Sequence, residues 1–280
     1  MMQANQSPSS DRQRKNGLLA ALCLAMTGPF ILMGFAARER GGQGIREMKL
    51  SVEDPRPVAQ AILELQEKYG WVITYEDPLY VHDSEIDDVT LKVRKDLDKY
   101  KPGEAPKVLV PKGGSLEFKY NVMSDTNLPD NPTMVVQKLL DAQAASGNGG
   151  RFRLETRGQI MHVIPTAIKN SAGVIVPQES VLDAIISLPS GDGTVLQKLR
   201  SICAAISRTT NIHVVLGTIP TNLFLQHRDQ RGAANQRARD ILVNTLETIN
   251  NETKLSWRLL YEPGMKTYYL NIRSVLKRDG

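Results

Sequence analysis

One succession of apolar periodicities is written twice in this chain of 280 residues. In the first pass Val58, Ala61, Ile62, Leu65 and Tyr69 share one helical face, with Asp54 as a cap, Pro55 or Pro57 in the first turn and Gly70 as the stop. Residues 71–75 then read as a strand. Leu116, Phe118, Tyr120 and Val122 alternate with polar residues, as a half-buried strand does. Asn131-Pro132 opens a second helix carrying Val136, Leu139 and Leu140, and a hairpin over 152–164 turns at Gly158. The second pass opens with a strand over 182–188, matching 47–52. Leu199, Ile202, Cys203 and Ile206 form a helical face, residues 212–216 a strand, and Leu223, Leu225 and His227 alternate. Ala238, Ile241, Leu242, Leu246 and Ile249 predict another helix, and Leu255, Trp257, Leu259 and Tyr261 lead through Pro263-Gly264 into a closing strand over 267–272.

The two passes align by fixed offsets. Ala61 to Ile202, Leu65 to Ile206 and Trp71 to Ile212 are each 141 residues apart; Phe118 to Leu225 is 107, Leu139 to Leu242 is 103 and Phe152 to Trp257 is 105. The drop of 34 from 141 to 107 is the length of segment 81–114, which the second pass lacks. The expected fold class is therefore α+β: two tandem β-α-β-β-α-β-β modules, each a small sheet with two helices on one face. The expected organisation is a leader over 1–36, a first module over 45–168 with the insertion at 81–114, a linker over 169–180 and a second module over 181–276. Within the insertion, Lys107 to Pro111 reads as an added strand whose hairpin lengthens the sheet. Val108, Leu109 and Val110 then form a candidate partner-binding edge, since an unpaired strand edge is a template for another chain; the bland alternative is that this strand only covers its own flank.

This order resembles the secretin and TonB short N-terminal domain. Residues 57–65 look like that family's first helix and 69–73 its strand entry; 133–140 look like its second helix, and 152–154 with 160–164 its closing hairpin. In the second copy 238–242, 255–259 and 269–272 fill the same places. The insertion departs from the family pattern, and no barrel-length β region follows. The resemblance implies a binding or docking module facing the bacterial envelope, and it transfers no catalytic residue.

The N-terminus points to the same compartment. Arg12, Arg14 and Lys15 precede 21 uncharged residues, 17–37, the pattern of an export segment. Gly34-Phe35-Ala36 fits cleavage after Ala36, while the run is long enough to stay as a membrane anchor, interrupted at Gly28-Pro29. The expected location is the periplasm, the periplasmic side of the inner membrane, or outside the cell, with any membrane contact made through this segment.

Chemistry is sparse. The net charge of +5 is scattered rather than striped, which argues against nucleic acid. Cys23 lies in the leader, and Cys203 sits on an apolar helical face as an inert thiol. His82 with Asp83, Glu85, Asp87 and Asp88 reads as a solvated acidic loop rather than a metal site, and no histidine pair has ligand spacing. His162 and His213 fall in strands as structural histidines, and His227 at an exposed strand end. Gly191-Asp192-Gly193 reads as an ordinary loop. No nucleophile elbow or S-x-x-K motif occurs. The expectation is a non-enzymatic envelope protein, without metal or cofactor, that binds another envelope protein or further copies of itself. The alternative is cell-wall or polysaccharide binding or hydrolysis, with Asp83, Glu85 or Asp87 as the carboxylates of a cleft between the modules.

Overall fold

The computed structural model describes residues 44–101, 103–249 and 254–276, so the leader expected over 1–36 lies outside the described residues. The fold class is α+β. The first half runs β1 (Ile45–Asp54), α1 (Pro57–Tyr69), β2 (Val72–Glu76), β3 (Ile86–Asp88), α2 (Thr90–Val93), β4 (Leu109–Pro111), β5 (Gly114–Met123), α3 (Pro132–Ser146), β6 (Arg151–Arg157) and β7 (Ile160–Lys169). A short β8 (Ile175–Pro177) lies in the connection. The second half runs β9 (Ile185–Leu188), α4 (Val195–Thr210), β10 (His213–Leu216), α5 (Thr221–Gln226), β11 (Ala233–Arg237), α6 (Ala238–Leu246), β12 (Leu255–Glu262) and β13 (Thr267–Ser274).

Local chemistry sets the helix ends. Pro57 occupies the first turn of α1, and Gly70 ends it at φ 68°, where its N–H reaches the Gln66 carbonyl. Asn211 ends α4 in the same left-handed conformation, at φ 56°, and lies 141 residues on. The Asn131 side chain caps α3 by accepting from the Met134 N–H, and Thr194 with Gln197 forms a reciprocal capping box on α4.

Strand pairings recur between the halves. β1 pairs antiparallel with β5, and β9 with β11. β2 runs parallel to β7 with Val72 opposite Ile160, and β10 runs parallel to β13 with His213 opposite Thr267. β6 and β12 pair antiparallel with β7 and β13; Leu154 faces Val163 and Leu259 faces Leu270. From Phe152 onward in β6, and throughout the β2–β7 and β10–β13 pairings, the pairs of these three-stranded sets keep offsets of 141, 105 and 107 for the first, second and third strands; only Arg151–Ala167, beyond a register shift, departs.

The two sets are not separate sheets. β12 lies parallel to β2, with Arg258 opposite Tyr75 and Leu259 opposite Glu76, giving one sheet in the order β10-β13-β12-β2-β7-β6 with β8 added on β7. Tyr75 belongs to the core under α1 and α3, and Leu259 to the core under α4 and α6. Side chains of paired residues share a face and successive ones alternate, so the two helix pairs cover opposite faces of the shared sheet. Tyr80, just before the inserted segment, is buried in the second core.

Two expectations need correction. Leu223, Leu225 and His227 do not form a strand: residues 221–226 are helix α5, which buries Phe224 completely. The strand that pairs with β9 is Ala233–Arg237, largely exposed and without apolar alternation, so periodicity could not reveal it. The inserted strand β4 also does not lengthen the main sheet. It pairs with β3 in a two-stranded sheet of its own. The chain turns away at Gly113, where a Cβ would stand 2.1 Å from the Asp54 carbonyl oxygen, and β5 then pairs along all of β1.

Buried charge locks the junction. Glu76 and Arg239 are both within 1 % of complete burial, and the guanidinium donates from Nε at 3.0 Å and Nη2 at 2.8 Å to Glu76 Oε1. Ser180 donates to the other carboxylate oxygen, and Arg239 also pairs with Asp183. Beside it, Arg56 donates to Asp77 Oδ2 at 2.6 Å and to the Tyr261 carbonyl at 2.6 Å. Removing one member of such a pair strands the other charge in the interior. Arg239→Ala is expected to cost about 3–5 kcal/mol in chemical denaturation; a loss below about 1 kcal/mol would mean the pair does not hold the halves together.

His162 adds a pH dependence. It sits on β7 with Nδ1 2.8 Å from Thr74 Oγ1 and its ring against Trp257. Burial, with Arg239 nearby, lowers its pKa from 6.5 to about 4. The unfolded chain therefore binds more protons in that window, so this contribution is complete above about pH 6.5 and is lost as pH falls toward 4. Unfolding titrations should show that decline, and His162→Gln should flatten it.

Candidate functional site

Val108, Leu109 and Val110 straddle the start of β4. The Val108 carbonyl accepts from the Val89 N–H at 2.9 Å, and the Lys112 N–H donates to the Glu85 carbonyl at 2.7 Å. Val108 N–H donates to Thr90 Oγ1. Alternation turns Val108, Val110 and Lys112 toward β3, and leaves Leu109 and Pro111 on the outer side. Pro111 has no N–H, so this edge presents Leu109 alone as a donor. Leu109 Cγ and the Lys107 carbonyl also stand within 4 Å of where a Cβ on Gly264 would lie, in the β12–β13 turn.

The three cleft carboxylates do not converge. Glu85 is buried against the Gly149 turn, while Asp83 and Asp87 stay exposed on the same short segment. Among the described residues no group of three His, Cys, Asp or Glu side chains could hold a metal. No helix of the described residues is long and apolar enough to cross a membrane. Cys203 is buried, and burial pushes its thiol up to about 12. At the start of α4, burial pushes Asp229 upward, but Arg231 and Lys198 outweigh it and hold the carboxyl at about 2. Asp192 in the adjoining loop accepts from Arg228 and Gln230. That corner holds a cavity of about 230 Å³ whose Asp229 is already paired with Lys198 and Arg231.

The open end of the sheet is different. β10 is an edge strand, and between it and α4 runs a groove of about 660 Å³. Its wall includes Arg200, Cys203, Ala204, Ser207, Leu216 and Ile219. Gly217 N–H bonds the Leu270 carbonyl at 3.0 Å, so residues 215 and 217 turn toward β13 and residues 214 and 216 turn outward. The outward N–H of Val214 is taken: Ser207 Oγ accepts it at 2.9 Å, and the hydroxyl's one hydrogen lies between the Cys203 carbonyl at 2.9 Å and the Val214 carbonyl at 3.3 Å. Leu216 has no strand beside it.

In the first half the corresponding edge is filled. Tyr75 stands 141 residues before Leu216 and lies opposite Arg258 of β12. The Asp77 N–H reaches the Leu259 carbonyl at 2.8 Å. Gln66, the counterpart of Ser207, donates to the Ile73 carbonyl, and Ser256 of β12 donates to the same oxygen. Arg273 closes over Gln66 at 2.5 Å. This groove was missed in the sequence because nothing local marks which strand a sheet leaves without a neighbour; the offset of 141, applied to the junction, would have found it.

No family model, no curated protein and no solved structure matches this chain.

Proposed function

We propose that this chain is an exported, non-enzymatic docking protein of the bacterial envelope, built from a duplicated module resembling the secretin and TonB short N-terminal domain. Its partner is another envelope protein, captured at the α4–β10 groove. One observation carries the reading: equivalent strand edges occur in both halves, and the one on β2 takes a parallel strand while the one on β10 is open beside a groove. Strand addition supplies main-chain hydrogen bonds for affinity and side-chain contacts for selectivity. The basic run and apolar leader support export, and the repeated registers support duplication. The edge at Val108 to Val110 is the second docking candidate: like β10 it presents a single outward donor, but its Leu109 stands beside the β12–β13 turn.

Cross-linking of a tagged full chain in intact cells tests the reading. Leu216→Pro removes an outward donor without touching the bonds to β13, and Ala204→Glu places a charge on an exposed groove position. Both are expected to lose a discrete envelope partner that Leu109→Pro retains. Loss with Leu109→Pro alone would move the site to β4, and capture unchanged by all three would refute edge docking.

A further inference from the structure

The groove also carries information about what it takes. Arg200 and Arg208 both line it, and no aspartate or glutamate does. Both are exposed, and neither forms an ion pair among the described residues. Arg56, Arg153, Arg157, Arg231, Arg237 and Arg239 are paired with carboxylates; Arg46, Arg151, Arg258 and Arg273 form no ion pair among the described residues either, but none of them lines this groove. Two unpaired guanidinium groups facing one groove are a site for anionic groups.

Their spacing is specific. Arg200, Ala204 and Arg208 follow one i, i+4 ridge of α4, with the small residue between the two charges. Eight residues of helix rise about 12 Å. An extended strand covers about 13 Å in four residues, and residues four apart point to the same face. A strand laid along β10 would therefore meet both arginines with acidic side chains at positions i and i+4, and its face between them would lie over Ala204.

We propose that the α4–β10 groove binds an extended acidic polypeptide segment, added parallel to β10 in the manner of β12 on β2, with carboxylates at i and i+4 that pair with Arg200 and Arg208. This rests on the docking reading and names the chemistry of its partner. The charge pattern disfavours the main sheet of a second copy as the occupant: its other edge strand, β6, carries Arg151, Arg153 and Arg157 against Glu155 alone. The locks of the internal junction are also missing here, since Gln197, Gly217 and Thr218 stand where Arg56, Glu76 and Asp77 stand in the first half. The groove is thus suited to a reversible guest rather than a permanent strand.

The test uses the purified full chain and short fluorescent peptides of high strand propensity, read by anisotropy. One peptide carries glutamates at i and i+4, one carries them at i and i+3, and one carries lysines at i and i+4. The first is expected to bind about tenfold tighter than either other, the size two exposed ion pairs support. Its affinity should fall as salt rises from about 0.05 to about 0.5 M. Arg200→Glu with Arg208→Glu should reverse the preference in favour of the lysine peptide, a reversal that simple unfolding cannot produce. Leu216→Pro should abolish binding of the first peptide. Equal binding of the three peptides, or binding indifferent to Leu216→Pro, would overturn the proposal. If the peptides fail while Leu216→Pro and Ala204→Glu still abolish capture in cells, the acidic-strand inference falls and the docking reading stands; if both fail, both fall.

Discussion

Everything in this molecule turns on how β12 meets β2. The contact is short, with two residue pairs in register, and would be weak as a bare strand pairing. It is made durable by burying Glu76 under Arg239 and Asp77 under Arg56, each with further partners from the opposite half. A buried pair of this kind is a poor source of net stability, but an arrangement that separates its members leaves an uncompensated charge in the interior. The halves are therefore held in one register across the sheet, with their helix pairs on opposite faces.

The same lock explains the open edge. A repeated unit that offers an acceptor edge on one strand and a donor edge on another joins its neighbour once, and leaves one edge of each kind unused at the ends. Here the ends are β10 and β6. A bare edge invites indiscriminate pairing. At β10 the invitation is narrowed: Ser207 takes the Val214 N–H, and the Thr218 N–H is turned back onto Asn271 at 2.9 Å. Leu216 remains, beside a groove lined by Arg200 and Arg208. In the docking mode proposed above, affinity and selectivity would come from different parts of one site, the backbone of β10 and the arginine ridge of α4.

Much of the fold was legible in the sequence because the core residues are large and periodic. Trp71 to Ile212 and Phe152 to Trp257 gave the offsets that the observed registers of β2, β6, β10 and β12 keep. The failures have local causes. Residues 233–237 form a strand on an exposed flank and need no apolar alternation, whereas residues 221–226 alternate over too short a run to distinguish strand from helical turn. The site was less legible still. Glu76 and Arg239 are 163 residues apart, and a buried arginine looks like any surface arginine until its partner is known. Arg200 and Arg208 were visible only as part of a scattered positive charge; what marks them is that both lack an ion-pair partner and both line one groove, which only the folded chain reveals.

The central claim is that equivalent edges are filled in one half and open in the other. Amide hydrogen exchange in the unliganded protein measures this residue by residue. The Asp77 amide, bonded to Leu259, and the Gly217 amide, bonded to Leu270, are expected to be strongly protected. The Leu216 amide between the strand's paired positions is expected to exchange far faster than both. Protection of Leu216 equal to that of Gly217 would show that something already covers the β10 edge, and would contradict the account.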